Sequence, residues 1–498
     1  MLRQDARAIW DAAVAAVNPD KLIKDAVRVD GDTLVIGPRR FAIAKLRRIA
    51  VVGCGKAGSV MARAIEDALG PELMEAKQLV GWVNVPDDRT GKLSRITLHG
   101  SRPPGHNSPT DAGVRGTEEM LNILNALCPT DLAICLISGG GSALMPAPVA
   151  PISLEDKQAV TDLLSKNGAT INELNAVRKH LSKVKGGRLA AASCAGETIS
   201  LIISDVVGNP LDAIASGPTA PDPTTFADAL AVFDRLGVRE QVPASVVKHL
   251  ERGAAGEFPE TMKTLPDSVT NVIIGDNRIA LRAGEEKARE LGYNVLNLGS
   301  HIEGETKDVG IVHASLALSI RKDATPLSPP ACILSGGETT VSHVATGGKG
   351  GRNQEFVLAA LSHIHKTTVC GVVEKAYSCS RRLQPAGPLM GQTAPIKGAA
   401  TVDDGLAGVF QQPLCPHLCH LCILSGGTDG EDGPTDAAGA FADEAVLHEM
   451  LEKRLAPQDY LASSRSYDFF DRLNALIKTG LTHTNVMDVR VVLVCGKS

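Results

Sequence analysis

Aromatic side chains are scarce: 3% of the 498 residues, with 2 Trp, 4 Tyr and 9 Phe. Surfaces that stack nucleic-acid bases are built from such rings, so the shortage disfavours that role. An excess of positive charge is also lacking, with 51 Lys+Arg against 56 Asp+Glu and a net charge of −5. A non-specific nucleic-acid binder is normally basic, and no nucleic-acid partner is expected. No apolar run is long enough to span a membrane. The first stretch, Met1 to Val17, carries Asp5 and Asp11. These interrupt the apolar segment of a secretory signal and depart from the acid-poor composition of a mitochondrial transit peptide. The stretch reads as a first helix stopped by Asn18-Pro19. The 11 cysteines are too thinly spread for a disulfide framework, and Cys135, Cys332 and Cys495 lie in apolar runs. A cytoplasmic location is expected.

What is abundant is glycine, 49 residues, with 28 Pro, clustered at the ends of apolar runs where backbone turns tightly or approaches a ligand. With 44% apolar and 21% charged residues, the chain is an ordinary globular one and too long for a single core. Two domains are expected, 1–253 and 254–498, joined through the flexible stretch Arg252-Gly253-Ala254-Ala255-Gly256-Glu257.

Apolar strands alternate with helical patterns, which predicts an α/β fold: two α/β domains with largely parallel sheets. Ile49–Val52 runs into Gly53-Cys54-Gly55-Lys56-Ala57-Gly58, Ile199–Ile203 into Ser204-Asp205, and Val272–Ile274 into Gly275-Asp276-Asn277. Ligands of such sheets bind at the carboxyl ends of the strands. Three runs end alike, in Ser138-Gly139-Gly140, Ser335-Gly336-Gly337 and Ser425-Gly426-Gly427. Each is read as a turn offering backbone N–H groups to an anion. A basic helical segment, Arg178 to Gly187, would place Arg178 and Lys185 on one face.

Gly350-Gly351-Arg352-Asn353 opens a helix and combines N–H groups, the positive helix end and a guanidinium, as a phosphate cradle does. Gly53, Gly55 and Gly58 keep a dinucleotide-loop spacing, with Lys56 an unusual cation inside it. The string from Ser425 to Asp436 gathers Asp429, Glu431, Asp432 and Asp436 among turn residues, a cluster that calls for a cation such as Mg²⁺. Residues 367–421 lack a sustained period and read as an atypical insertion. Its Cys415 and Cys419, with Cys422 of the following strand, lack the paired spacing of a zinc site.

Together with Asn175-Ala176-Val177-Arg178-Lys179-His180-Leu181-Ser182 and Ala215-Ser216-Gly217-Pro218-Thr219, the Lys56, Ser138 and Asp205 motifs resemble the amino-terminal domain of the glycerate 2-kinases. The Arg352 and Asp429 motifs resemble that family's MOFRL-like carboxyl-terminal domain. The resemblance implies a Rossmann-like domain, a smaller α/β domain and an active site in the cleft between them. It implies ATP-dependent phosphorylation of the 2-hydroxyl of D-glycerate, giving 2-phosphoglycerate and ADP. Carried over, Lys56, Asp205 and Arg352 are the catalytic candidates, with Asp205 orienting or deprotonating the hydroxyl. Asn175, Arg178, Ser138 and Ser142 would bind substrate. Gly55, Gly139, Gly140, Gly350, Gly351, Asn353, Ser425, Gly426 and Gly427 would cradle nucleotide phosphates, and Asp429 and Asp432 would reach Mg²⁺. A homodimer is compatible with it. The sequence departs from the family pattern at Ser464, where an asparagine is expected, and at His483, where a glycine is expected. Two other readings compete. One is a hydroxypyruvate reductase using a nicotinamide cofactor at the Gly53 loop. The other is a catalytically impaired binding homologue.

Overall fold

The computed structural model describes residues 1–105, 108–342, 347–381 and 420–495. A small antiparallel sheet comes first, made of β1 (Val27–Asp30), β2 (Thr33–Ile36) and β3 (Arg39–Ala42). Six parallel strands follow: β4 (Ile49–Cys54), β5 (Val80–Pro86), β6 (Ile96–Arg102), β7 (Leu132–Ile137), β8 (Glu197–Ile203) and β9 (Val269–Gly275). Their spatial order is β6-β5-β4-β7-β8-β9, the doubly wound order whose direction reverses between the first and fourth strands. All six residues of β4 and of β7 are buried, as expected for central strands covered by helices on both faces.

The second sheet contains β10 (Asn294–Asn297), β11 (Ala331–Gly337), β12 (Leu421–Gly427), β13 (Gly439–Asp443), β14 (Leu476–Ile477) and β15 (Asp488–Val494), in the order β10-β11-β15-β12-β13-β14. The α/β class therefore holds, but this sheet is mixed. β10 and β11 are parallel, while β15 runs antiparallel between β11 and β12.

β9 is hydrogen-bonded to β8, so the first sheet extends to Gly275. The junction expected at 253/254 precedes the last strand of that sheet, and we propose that it follows Gly275. The first helix, Leu2–Ala16, ends where Asn18-Pro19 predicts, yet it packs on the far sheet, against β12, β15 and the helix Asn277–Glu290. One apolar core consequently runs through Ile9 and Trp10 of this helix, Val51 and Ile134 of the first sheet and Leu424 and Val491 of the second.

The helix that begins at Arg352 continues to Arg381, well past the Leu361 at which its apolar pattern fades. The start of the expected insertion is thus helical. The remainder, with Cys415 and Cys419, lies outside the described residues.

Candidate active site

Lys56 leaves the end of β4 at the point where the strand order reverses, facing the turn after β7. Its backbone N–H donates to Gly139 O at 2.9 Å, and the Ala57 N–H donates to Ser138 Oγ at 3.1 Å. Ser138 is therefore spent on starting the helix Gly58–Ala76 rather than on facing the cleft. A Cβ on Gly55, whose φ is +139°, would collide with that same hydroxyl. The glycine spacing that suggested a dinucleotide loop is explained here by two strand-end turns in contact. Beside them, a Cβ on Gly139 would press on Asp205 Oδ2, and Gly140, at φ +76°, borders Arg102 and Lys56.

The loop after β12 brings the second sheet to this point. Lys56 Nζ lies 3.0 Å from Asp429 Oδ2 and 3.4 Å from Glu431 Oε2. Asn485 Nδ2 reaches Asp205 Oδ2 at 3.5 Å. Burial, followed by the charge of Glu338, pushes the Asp205 carboxyl up to about 6. Burial likewise raises Glu338, with Asp488 and Asp429 adding to it against the pull of Arg352. Arg352 donates to Asp488 Oδ2 and to Glu338 Oε1, each at 2.7 Å. Burial opposes its charge, but those carboxylates more than offset the cost, and its pKa is raised. Lys56, Asp205, Arg352 and Asp429 thus converge from separate parts of the chain with Glu431 of the acidic string, and Glu338, Asp488 and Asn485 join them unanticipated.

Other expected residues have different positions. Asp432 Oδ1 accepts the Asn353 N–H at 3.0 Å and Oδ2 the Gln354 N–H at 2.9 Å, so this carboxylate caps the helix Arg352–Arg381. Its observed hydrogen-bond partners lie at this helix end rather than at the Lys56 amine. Asn353 is buried, donating to Asp488 Oδ1 at 2.8 Å and accepting from Ser425 Oγ at 2.5 Å. Ser425, Gly426 and Gly427 are not a turn but the end of β12, paired with Arg490, Val489 and Asp488 of β15. Ser335, Gly336 and Gly337 of β11 pair with the same three residues from the other side. Only the Ser138 copy of the three-fold motif is a strand-to-helix turn. Gly426 has a close neighbour instead of a ligand, since Trp10 Nε1 donates to its carbonyl at 3.2 Å. Gly350 and Gly351 lie against Ser466 and Asp432.

The helix Ile171–His180 ends before Lys185, so Arg178 and Lys185 do not share a helical face. They meet nonetheless at a cavity of about 670 Å³ on the first sheet, which adjoins Asp205 and is also lined by Arg102, Lys157 and Ser142. Lys185 Nζ donates to Ser142 Oγ at 2.7 Å. Ser216 Oγ, 3.1 Å from Ser142 Oγ, donates to Asn175 Oδ1 at 3.1 Å, so Asn175 supports this wall from behind. Ala215 and Ser216 hold φ values of +52° and +61°, backbone strain of the kind that gathers at functional sites.

A model of the MOFRL family matches residues 331–377 and 405–488, and one described as a domain of unknown function (DUF4147) matches residues 5–251. The glycerate 2-kinase of Pyrococcus horikoshii is 37% identical over 486 residues, covering 97% of this chain and 96% of that protein. An Agrobacterium vitis protein provisionally named a hydroxypyruvate reductase is 35% identical, covering 99% of this chain and 94% of its own. The crystal structure of a Thermotoga maritima glycerate kinase superposes with a TM-score of 0.76 at 29% identity, covering 99% of both chains. With this similarity covering nearly the whole chain, both sheets included, the chain belongs to the glycerate kinase family, a family of enzymes.

Proposed function

We propose that the protein transfers the γ-phosphoryl group of ATP to the 2-hydroxyl of D-glycerate, forming 2-phosphoglycerate and ADP. The observation that carries this reading is the meeting of Lys56 and Asp205 from the first sheet with Asp429, Glu338 and Arg352 from the second. Phosphoryl transfer depends on positioning and charge neutralisation more than on covalent chemistry. Asp205, poised at about 6, is largely ionised at neutral pH and accepts the hydroxyl proton as the new O–P bond forms. Lys56 exchanges its contacts with Asp429 and Glu431 for the transferring phosphoryl group, whose growing negative charge it offsets. Arg352, fixed by Asp488 and Glu338, presents positive charge to a substrate oxyanion.

Mg²⁺ fits the same place. Asp429 and Glu431 offer the one or two carboxylates that this ion takes from a protein, the other ligands coming from water and substrate phosphates. Among the described residues no group of three His, Cys, Asp or Glu could hold a metal by itself. When bound, it would neutralise charge on the phosphates. The reductase reading loses support at the Gly53 loop, where a Cβ on Gly53 or Gly55 would meet Leu136 or Ser138, so close packing accounts for these glycines without a dinucleotide. Free thiols at Cys54, Cys135, Cys332 and Cys422 suit a reducing cytoplasm.

The test combines purified protein, Mg²⁺-ATP and D-glycerate, with product detected through enolase in the absence of phosphoglycerate mutase. An enolase signal places the phosphate on the 2-hydroxyl. ADP release without that signal moves it to another position, and no glycerate-dependent ADP release refutes the reading. Oxidation of NADH or NADPH by hydroxypyruvate would restore the reductase.

A further inference from the structure

Three lysines in the first domain are almost wholly buried, and the chain treats them differently. Lys179, 2% exposed, is neutralised by Asp222 and Asp212, each 3.1 Å from its amine. Lys157, 5% exposed, has no hydrogen-bond partner for its Nζ. Lys185, 1% exposed, donates only to neutral oxygens, of Ser142, Ala215 and Ser216. Neither Lys157 nor Lys185 has a carboxylate within ion-pair distance among the described residues. An unpaired buried charge is costly, and the nearby Lys179 shows that this fold can supply counter-ions where it needs them.

Both unpaired amines line the 670 Å³ cavity, together with Arg178 and Arg102. Two acidic side chains share the wall, Asp162 and Asp205, and the second of them belongs to the phosphoryl-transfer site. The missing negative charge therefore has an entry route and a destination. We propose that this cavity is an oxyanion-binding site, in which Lys157 and Arg178 grip a carboxylate or phosphate group of one of the two substrates. The inference rests on the kinase reading for the identity of those substrates, the carboxylate being that of glycerate and the phosphate that of the nucleotide. Burial holds the Lys157 amine down at about 7, with the charge of Arg178 adding to the effect. The empty cavity thus tolerates the lysine, and an arriving anion restores its charge.

The experiment is isothermal titration of wild type, Lys157→Met and Arg178→Met with D-glycerate and, separately, with a non-hydrolysable ATP analogue and Mg²⁺. Each variant is expected to weaken one ligand by roughly tenfold to a hundredfold, the loss of a charged hydrogen bond. Loss on glycerate assigns the carboxylate, and loss on the analogue assigns the phosphates. Lys157→Met removes an unpaired buried cation and keeps its length, so its melting temperature should equal or exceed that of wild type. Unchanged affinity for both ligands in the two folded variants overturns the proposal. The kinase reading fails separately. If glycerate is not turned over, yet inorganic phosphate raises the melting temperature of wild type and not of Lys157→Met, the oxyanion site stands without its acceptor. No shift in either protein removes the site as well.

Discussion

At Asp205 two demands oppose each other: a base must ionise, and burial resists ionisation. The side chain titrates near 3.8 in the unfolded chain and is pushed up to about 6 in the fold. Its neutral form is therefore favoured by folding. Stability is unaffected by this group below pH ~4 and is lost as pH rises through 6, the range in which the base becomes active. Turnover should climb across pH 6. Asp205→Asn should lower kcat by about 10²–10⁴-fold while leaving the melting temperature at pH 8 equal or higher; near-normal kcat would remove Asp205 from its role. A second residue-scale expectation concerns the two departures from the family pattern. His483 and Ser464 hold φ values of +62° and +51°, the left-handed region that glycine and asparagine occupy most readily. His483→Gly and Ser464→Asn should each stabilise by roughly 1 kcal/mol, measurable by urea denaturation. Lys56, Arg352 and Asp429 were legible in the sequence because each stands in a glycine-rich strand or helix end, and Asp205 because it follows an apolar strand in a motif that resembles the family's. Glu338 also follows a glycine-rich string, Ser335-Gly336-Gly337, but only the packing shows its part in the site, and nothing in the local sequence of Lys157 distinguishes it from a solvated charge.

Among the elements, the helix Arg352–Arg381 shows what the spacing of an acidic string leaves out. Asp432 and Asn353 are 79 residues apart, and spacing within the string could not reveal that the carboxylate belongs to a helix end. Two backbone N–H bonds hold it, and burial still pushes it up to about 7. Asp432→Asn should cost about 1–3 kcal/mol in chemical denaturation and leave the Mg²⁺ concentration dependence of the kinase near that of wild type. A large change in that dependence would return Asp432 to the metal. The repeated Ser-Gly-Gly strings were legible as strand ends but not as neighbours. Only the insertion of β15 between β11 and β12 places two copies opposite the same Arg490 and Asp488.

Across the whole molecule the alternation of strand and helix disclosed both sheets, but not what joins them. The helix Leu2–Ala16 contributes Ile9 and Trp10 to a core shared by both sheets. Trp10, 1% exposed, is fixed by its bond to Gly426 O. Trp10→Ala should cost about 3–5 kcal/mol and, because one core serves both sheets, should lower a single cooperative calorimetric transition rather than split it in two. A split transition would show that the sheets unfold independently.

That helix carries a consequence for the birth of the protein. Trp10 and its seat at Gly426 are 416 residues apart. At translation rates of roughly 5–20 residues per second, the seat leaves the ribosome on the order of 20–80 s after the helix. Until then the Trp10 indole lacks this seat, although the helix Asn277–Glu290, which also packs on Leu2–Ala16, has already been made.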